Sequence, residues 1–217
     1  DLRDASANKI RQYLGVVVQL IVYELRGISC LDLDKVLPKK NIMCSRSFGN
    51  PVNSKAIIKD FITEYAIRAT EKVRQQNSRA QGIYIFLQTN RFRKEKQYSS
   101  GIMFGLNSPS CDTSIIIKLA LRAIDQIYQS GYSYHKAGIM MLDLIPSEIH
   151  QQDLFQNTNY LLSDQRMGVI DFLNNKYGSG TITHGKIRQK DKSRWKSKSF
   201  YLSPRYTTQW DELPQVS

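Results

Sequence analysis

Apolar residues recur at helical spacing near the start of the chain. Ile10, Tyr13, Leu14, Val17, Val18, Ile21 and Val22 predict one helix over residues 4–26, opened by Ala5 or Ser6 and ended by Gly27. A loop holding Leu37, Pro38, Lys39 and Lys40 follows, and residues 41–49 (NIMCSRSFG) read as an extended, β-rich segment. After Asn50-Pro51 a second helix begins, capped by Asn53 or Ser54. Ile57, Ile58, Phe61, Ile62, Tyr65, Ala66, Ala69 and Val73 form its apolar stripe, with charged residues opposite, so it packs on one side of a sheet.

In residues 82–89 (GIYIFLQT) the period changes to two. Ile83, Ile85 and Leu87 share one face of a strand, and Tyr84, Phe86 and Gln88 the other. The basic connection 90–97 (NRFRKEKQ) leads to residues 98–106 (YSSGIMFGL), which pair back as a hairpin before a turn at 107–110. Asp112 or Thr113 caps a third helix, carrying Ile116, Leu119, Ala120, Ala123, Ile124 and Ile127 and ending at Gly131. Residues 136–145 (KAGIMMLDLI) make the last strand.

The order is β-α-β-β-α-β. This predicts an α+β fold, a four-stranded antiparallel sheet with two helices on one face and the other face uncovered. Beyond Pro146 the composition turns polar, a helix is expected over 163–177, and the remainder is basic and aromatic. The expected divisions are therefore a leading helix at 1–27, a linker at 28–39, the sheet domain at 40–145 and a small mixed C-terminal region at 146–217.

Charge adds a partner to this picture. The 217 residues carry 31 Lys and Arg against 19 Asp and Glu, a formal charge of +12, which favours a polyanion. No run of 18 apolar residues exists, and GVVVQLIVY is short and interrupted by Gln19, so no membrane span is expected. Cys30, Cys44 and Cys111 are scattered without a CxxC pair, which fits a reducing compartment and argues against a metal framework. The opening DLRDASANKIRQYL has no secretory pattern and reads as a chain entered in its middle.

An uncovered sheet face on a basic protein suits nucleic acid, because cations offset phosphate charge. The candidate contacts are Ser45, Arg46, Ser47, Arg79, Arg91, Arg93, Lys94, Lys96 and Lys136, with Ser99 and Ser100 as further hydroxyl donors. Strict alternation sets Arg46 opposite Ser45 and Ser47, so either the strand bulges there or only one of those sets faces the ligand. Tyr84, Phe86 and Phe104 would suit a single-stranded RNA reader, but no RNP1-like run accompanies them. The carboxylates are scattered, and His135, His150 and His184 lie beside no recognisable nucleophile, so no catalytic residue, metal or cofactor is assigned within this chain.

The stretches ELRGISCLDL, CSRSFGNPV, YAIRATEKVRQQ, YHKAGIMMLDL, QQDLF and LSPRYTTQWDELPQV resemble the C-terminal part of the UmuC family of error-prone Y-family DNA polymerases. The resemblance covers nearly the whole chain in order. It implies that residues 1–27 end a thumb domain, that 40–145 form the DNA-gripping little finger, and that 146–217 form a tail region. The palm and fingers would precede Asp1, together with their Mg2+ site, so this chain alone should not polymerise DNA.

Further implications are primer-template DNA, the processed UmuD dimer and the RecA filament as partners, a role in SOS translesion synthesis, and a bacterial cytoplasmic, nucleoid-associated location. Bacterial sliding-clamp peptides have the form Gln-x-Asp/Ser-Leu-Phe, which Gln151, Asp153, Leu154 and Phe155 match. In an extended peptide the Leu and Phe would enter an apolar groove on the clamp. The basic run at 186–200 would add a DNA contact or a docking surface. A reading of another class is a protein-interaction adaptor in which DNA contact is incidental.

Overall fold

A computed structural model describes residues 2–30, 38–148, 160–185 and 202–213. The chain divides into two compact units, Asp1–Pro38 and Lys39–Ser217.

In the first unit the expected single helix is two: α1 (Ala7–Leu14) and α2 (Val16–Leu25), after a 3-10 turn at Leu2–Asp4. The break is Gly15, whose φ of +85° a residue with a Cβ rarely adopts. Arg26 ties the unit together by donating from Nε to the Arg3 carbonyl and from Nη2 to the Ala5 carbonyl, both at 2.7 Å. Tyr13, Leu14, Val17 and Ile21 of the apolar stripe are exposed, whereas Val22 is buried.

The second unit holds β1 (Ile42–Val52), α3 (Lys55–Gln75), β2 (Ser78–Thr89), β3 (Ser99–Ser110), α4 (Thr113–Ile127), β4 (Tyr134–Leu142), β5 (Ile145–Pro146) and α5 (Tyr160–Tyr177). The strand order is β1-β4-β2-β3, all pairs antiparallel, and β5 pairs with the start of β2. β1 and β2, joined by α3, thus run in the same direction with β4 inserted between them. The α+β reading holds, with β1 running on to Val52 and β2 starting earlier, at Ser78. The turn expected at 107–110 is absorbed into edge strand β3 by an irregularity between the Gly82–Gly105 and Ala80–Ser110 pairs. Pro109 is tolerated there because β3 pairs on one side only.

Alternation builds the core. Cys44, Ile83, Ile85, Leu87, Ala137, Ile139 and Met141 point to the helix side and meet Ile58, Ile62, Ala66 and Ala69 of α3 and Ile116, Ala120 and Ile124 of α4. Each large aliphatic side chain so buried contributes about 1.5–3 kcal/mol. Asp112 caps α4, accepting from the Ser114 N–H at 2.7 Å. At one end, Tyr98, Tyr128 and Tyr132 gather with the fully buried Tyr134, whose hydroxyl accepts from Gln129 N–H and donates to Gln129 O at 2.9 Å. That pair of bonds anchors the α4–β4 connection.

The second compact unit runs from Lys39 to the chain end and so includes residues on both sides of Pro146. Asn77, with φ of +51°, turns α3 into β2, and its carbonyl accepts from Ser147 N–H at 2.8 Å, so the chain beyond β4 returns beside the α3–β2 corner. α5 then docks on the sheet domain through charge. Arg74 grips Asp171 with two bonds, 2.6 and 2.7 Å, while its Nη1 donates to Cys111 O and Thr113 Oγ1 at 2.9 Å. Arg79 pairs with Asp164, and Asp112 accepts from Ser163 at 2.5 Å and Arg166 at 2.7 Å. Met167 is fully buried in this contact, on the face of α5 that carries Asp164 and Asp171.

Burial alone would raise the Asp112 carboxyl, but the hydrogen bonds from Ser163, Ser114 N–H and Ile115 N–H, with the Arg166 charge, hold it below its ordinary 3.8. A depressed folded pKa contributes stability above the unfolded value, and that stability is lost as pH falls. The α5 contact is therefore expected to loosen below about pH 3.8, as amide exchange along 160–177 should record. Replacing Arg74 with Leu strands a largely buried Asp171 and should lower unfolding stability by about 2 kcal/mol in urea titration.

Candidate nucleic-acid interface

The face of the sheet away from α3 and α4 is built in three rows by the strand register. Met43, Met140, Tyr84 and Met103 form one; Ser45, Gly138, Phe86 and Gly101 the next; Ser47, Lys136, Gln88 and Ser99 the third. The middle row is flat because two aromatic rings lie down on two glycines. A Cβ on Gly138 would come within 2.5 Å of Ser45 Cβ and 2.6 Å of Phe86 Cζ, and one on Gly101 within 2.6 Å of Tyr84 Cζ. Phe86 is therefore only 5% exposed although it faces away from α3 and α4. The Tyr84 and Phe86 rings sit 6.0 Å apart with 27° between their planes, and Lys136 Nζ lies 5.9 Å from the Phe86 centroid.

The third row runs into the β2–β3 loop, residues 90–97, which Gln97 organises. Its Nε2 donates to the carbonyls of Asn90, Arg93 and Glu95 at 3.1, 2.8 and 3.0 Å, and its Oε1 accepts from Thr89 Oγ1 at 2.8 Å. Between loop and sheet lies a groove of about 670 Å³, lined by Ser47, Gln88, Thr89, Asn90, Arg91, Phe92, Gln97, Tyr98, Ser99, His135 and Lys136.

The two faces differ in where carboxylates stand. On the helix side Asp125 binds Lys55 and Lys59 at 2.7 Å each, and these hydrogen bonds hold its carboxyl below the usual range. Glu64 pairs with Arg68. None of the open-face positions in the three rows is Asp or Glu. Among the described residues, the side chains of Ser47, Gln88, Arg91 and Lys136 make no hydrogen bond or ion pair, so their donors remain available to a ligand.

The residues expected from the sequence are thus sorted. Ser45, Ser47 and Lys136 share the open face, and Arg91 joins Ser47 and Lys136 at the groove. Arg93, Lys94 and Lys96 are exposed on the loop, with Arg93 3.5 Å from Glu95. Arg46 pairs with Ala137 in regular register and lies on the helix side, where its charge opposes the burial that pushes Tyr65 up to about 12. The irregularity in β1 falls after Ser47, so alternation rather than a bulge decides the matter. Ser100 likewise pairs with Leu87 on the helix side.

Arg79 is a correction. It is 5% exposed and committed to Asp164, because β2 begins beneath α5, so it is withdrawn from the surface. Gln151, Asp153, Leu154, Phe155 and the basic run 186–200 lie outside the described residues. Sequence reading missed Gln88, Asn90, Phe92, Gln97 and His135 as groove residues. The one available signal was Phe92, a lone aromatic inside a basic run.

The class of domain is an open-faced α+β sandwich with a charge-latched helix. Its lineage follows from comparison with known proteins: the C-terminal domain of the impB/mucB/samB family matches residues 39–154, and the chain belongs to that family. A domain of unknown function (DUF4113) matches residues 165–216. Protein UmuC of Salmonella typhimurium strain LT2 is 36% identical over all of this chain and 51% of its own length. Protein ImpB and Protein SamB of Salmonella typhimurium are 34% and 35% identical, each over 98% of this chain and 50% of their own length. The chain therefore spans about half the length of these relatives. The insertion ternary complex of Dbh DNA polymerase overlaps 67% of this chain and 41% of that one, at 17% identity and a TM-score of 0.38, too loosely to bear on the site.

Gly138→Ala should displace the Phe86 ring and lower the melting temperature by several degrees. Adding Phe86→Ala should make the second loss smaller than additive, since the clash partner is gone; strict additivity would contradict the stacked geometry.

Proposed function

We propose that this chain is the DNA-gripping C-terminal portion of a translesion DNA polymerase, holding primer-template duplex by its backbone without reading sequence. The observation that carries the reading is the absence of carboxylates from the three rows of the open face. Among the described residues Lys136 and Arg91 there have no ionic partner, whereas on the helix side Lys55 and Lys59 share Asp125 and Arg68 pairs with Glu64. A flat face edged by hydroxyl and amide donors suits phosphate oxygens, which are the same for every base pair. Catalysis, with its divalent metal, would lie in the portion of the relatives that this chain does not span, and the proposal includes an SOS setting with the processed UmuD dimer and the RecA filament as partners.

The second element of the proposal is sliding-clamp binding by Gln151, Asp153, Leu154 and Phe155. This segment falls where the match to the impB/mucB/samB domain gives out, at residue 154, and before the second match starts at 165. Gln151, Asp153 and Leu154 close the first match and Phe155 follows it, and an extended peptide of this pattern suits a groove on a partner. An adaptor with incidental DNA contact is the competing reading.

Duplex binding is expected to weaken steeply with salt, log K falling by about 0.9 per phosphate neutralised. Lys136→Ala and Arg91→Ala should each lower affinity alike for unrelated sequences and reduce that slope by about 1, measured by fluorescence anisotropy. Unchanged slopes in both variants would favour the adaptor. Leu154→Ala with Phe155→Ala should abolish binding to the clamp while the DNA isotherm stays in place.

A further inference from the structure

Phe92 is 84% exposed, on a loop crossed by side-chain-to-backbone hydrogen bonds. Its own N–H donates to Asn90 Oδ1 at 3.0 Å, and the flanking Asn90, Arg93 and Glu95 carbonyls all accept from Gln97. The Arg91 guanidinium carbon stands over the Phe92 ring, 5.1 Å from its centroid, so the cation lies on one ring face at the groove mouth and the other face is left for a base. A hydrogen-bonded loop that holds an aromatic ring out in water, next to cations that have no ion-pair partner among the described residues, presents a surface for a ligand with both a flat apolar face and an anion.

We propose that this groove receives one unstacked nucleotide of a DNA strand, with the base against Phe92 and its phosphate held by Arg91 and Lys136 with Ser47. The inference rests on the DNA-binding reading and deepens it. Paired bases inside a duplex offer no free face, so a ring at this position gains from stacking only where a base is unpaired, as in a template overhang. The polar row Ser47, Lys136, Gln88 and Ser99 crosses four strands, roughly 14 Å at about 4.8 Å per strand, so the phosphates on either side of that nucleotide can stay on the sheet. A wholly double-stranded ligand would use the row and leave the ring in water.

The test compares a blunt duplex with the same duplex bearing a single-stranded DNA overhang, using the full 217-residue chain. The wild-type chain should prefer the overhang by roughly five-fold or more. Phe92→Ala should erase that preference and Phe92→Tyr, which keeps the ring, should preserve it. Because Phe92 is exposed, both variants should fold, and matched melting temperatures verify this. Retention of the full preference by Phe92→Ala overturns the nucleotide site, as does an RNA overhang that outcompetes the DNA one. If Lys136→Ala weakens both substrates while Phe92→Ala changes nothing, only this inference fails. If Lys136→Ala affects neither substrate, the DNA-binding reading fails with it.

Discussion

β4 lies between β1 and β2 and hydrogen-bonds to both, and its register decides what every other strand shows to each side. Ala137, Ile139 and Met141 fix the helix side of the sheet, and Lys136, Gly138 and Met140 fix the open side. A slip of one residue would exchange the two sets, placing an ammonium beneath α3 and aliphatic side chains in water. Such a slip is opposed at both ends of the strand. Tyr134 is bonded twice to Gln129, and the notch at Gly138 accepts one ring, that of Phe86. The chemistry of the open face is thus a consequence of core packing on the other side.

The second organising contact is electrostatic. α5 directs Asp164 and Asp171 toward Arg79 and Arg74 on the face that buries Met167, and leaves Val169 and Phe172 exposed, so charge joins apolar burial in docking it. Burial raises the Cys111 thiol to about 11, the nearby Arg79 and Asp164 acting in opposite directions, so this cysteine stays protonated under the helix. Burial also lowers the pKa of His184, which lies within the influence of Asp112, Arg74, Arg166 and Asp171. The latch consumes two arginines that would otherwise add to the basic surface.

How much of this was legible beforehand depended on the period of each element. The alternation of Ile83, Ile85 and Leu87 against Tyr84, Phe86 and Gln88 and the stripes of α3 and α4 gave the sheet, its helices and its uncovered face, because such patterns are set by burial within a few residues. Long-range effects were not legible. Nothing local to Arg79 reveals that Asp164, 85 residues later, will neutralise it. Gly15 sits inside an unbroken apolar period, and only its backbone angle shows the helix ending there. The Arg46 ambiguity was stated by alternation but needed the observed pairing with Ala137 to be resolved. The groove itself is made by a loop whose shape depends on one glutamine bonding three carbonyls, a geometry no spacing rule encodes.

The central claim is that one face of this sheet meets DNA and the other does not. Amide chemical shifts recorded during titration with duplex DNA test it most directly. Perturbations confined to Ser45, Ser47, Tyr84, Gln88, Lys136 and the 90–97 loop, with α3 and α4 silent, are the predicted result. Shifts concentrated on the outer surface of α3 and α4 around Lys55, Lys59 and Lys118, with the open face unmoved, would contradict the account.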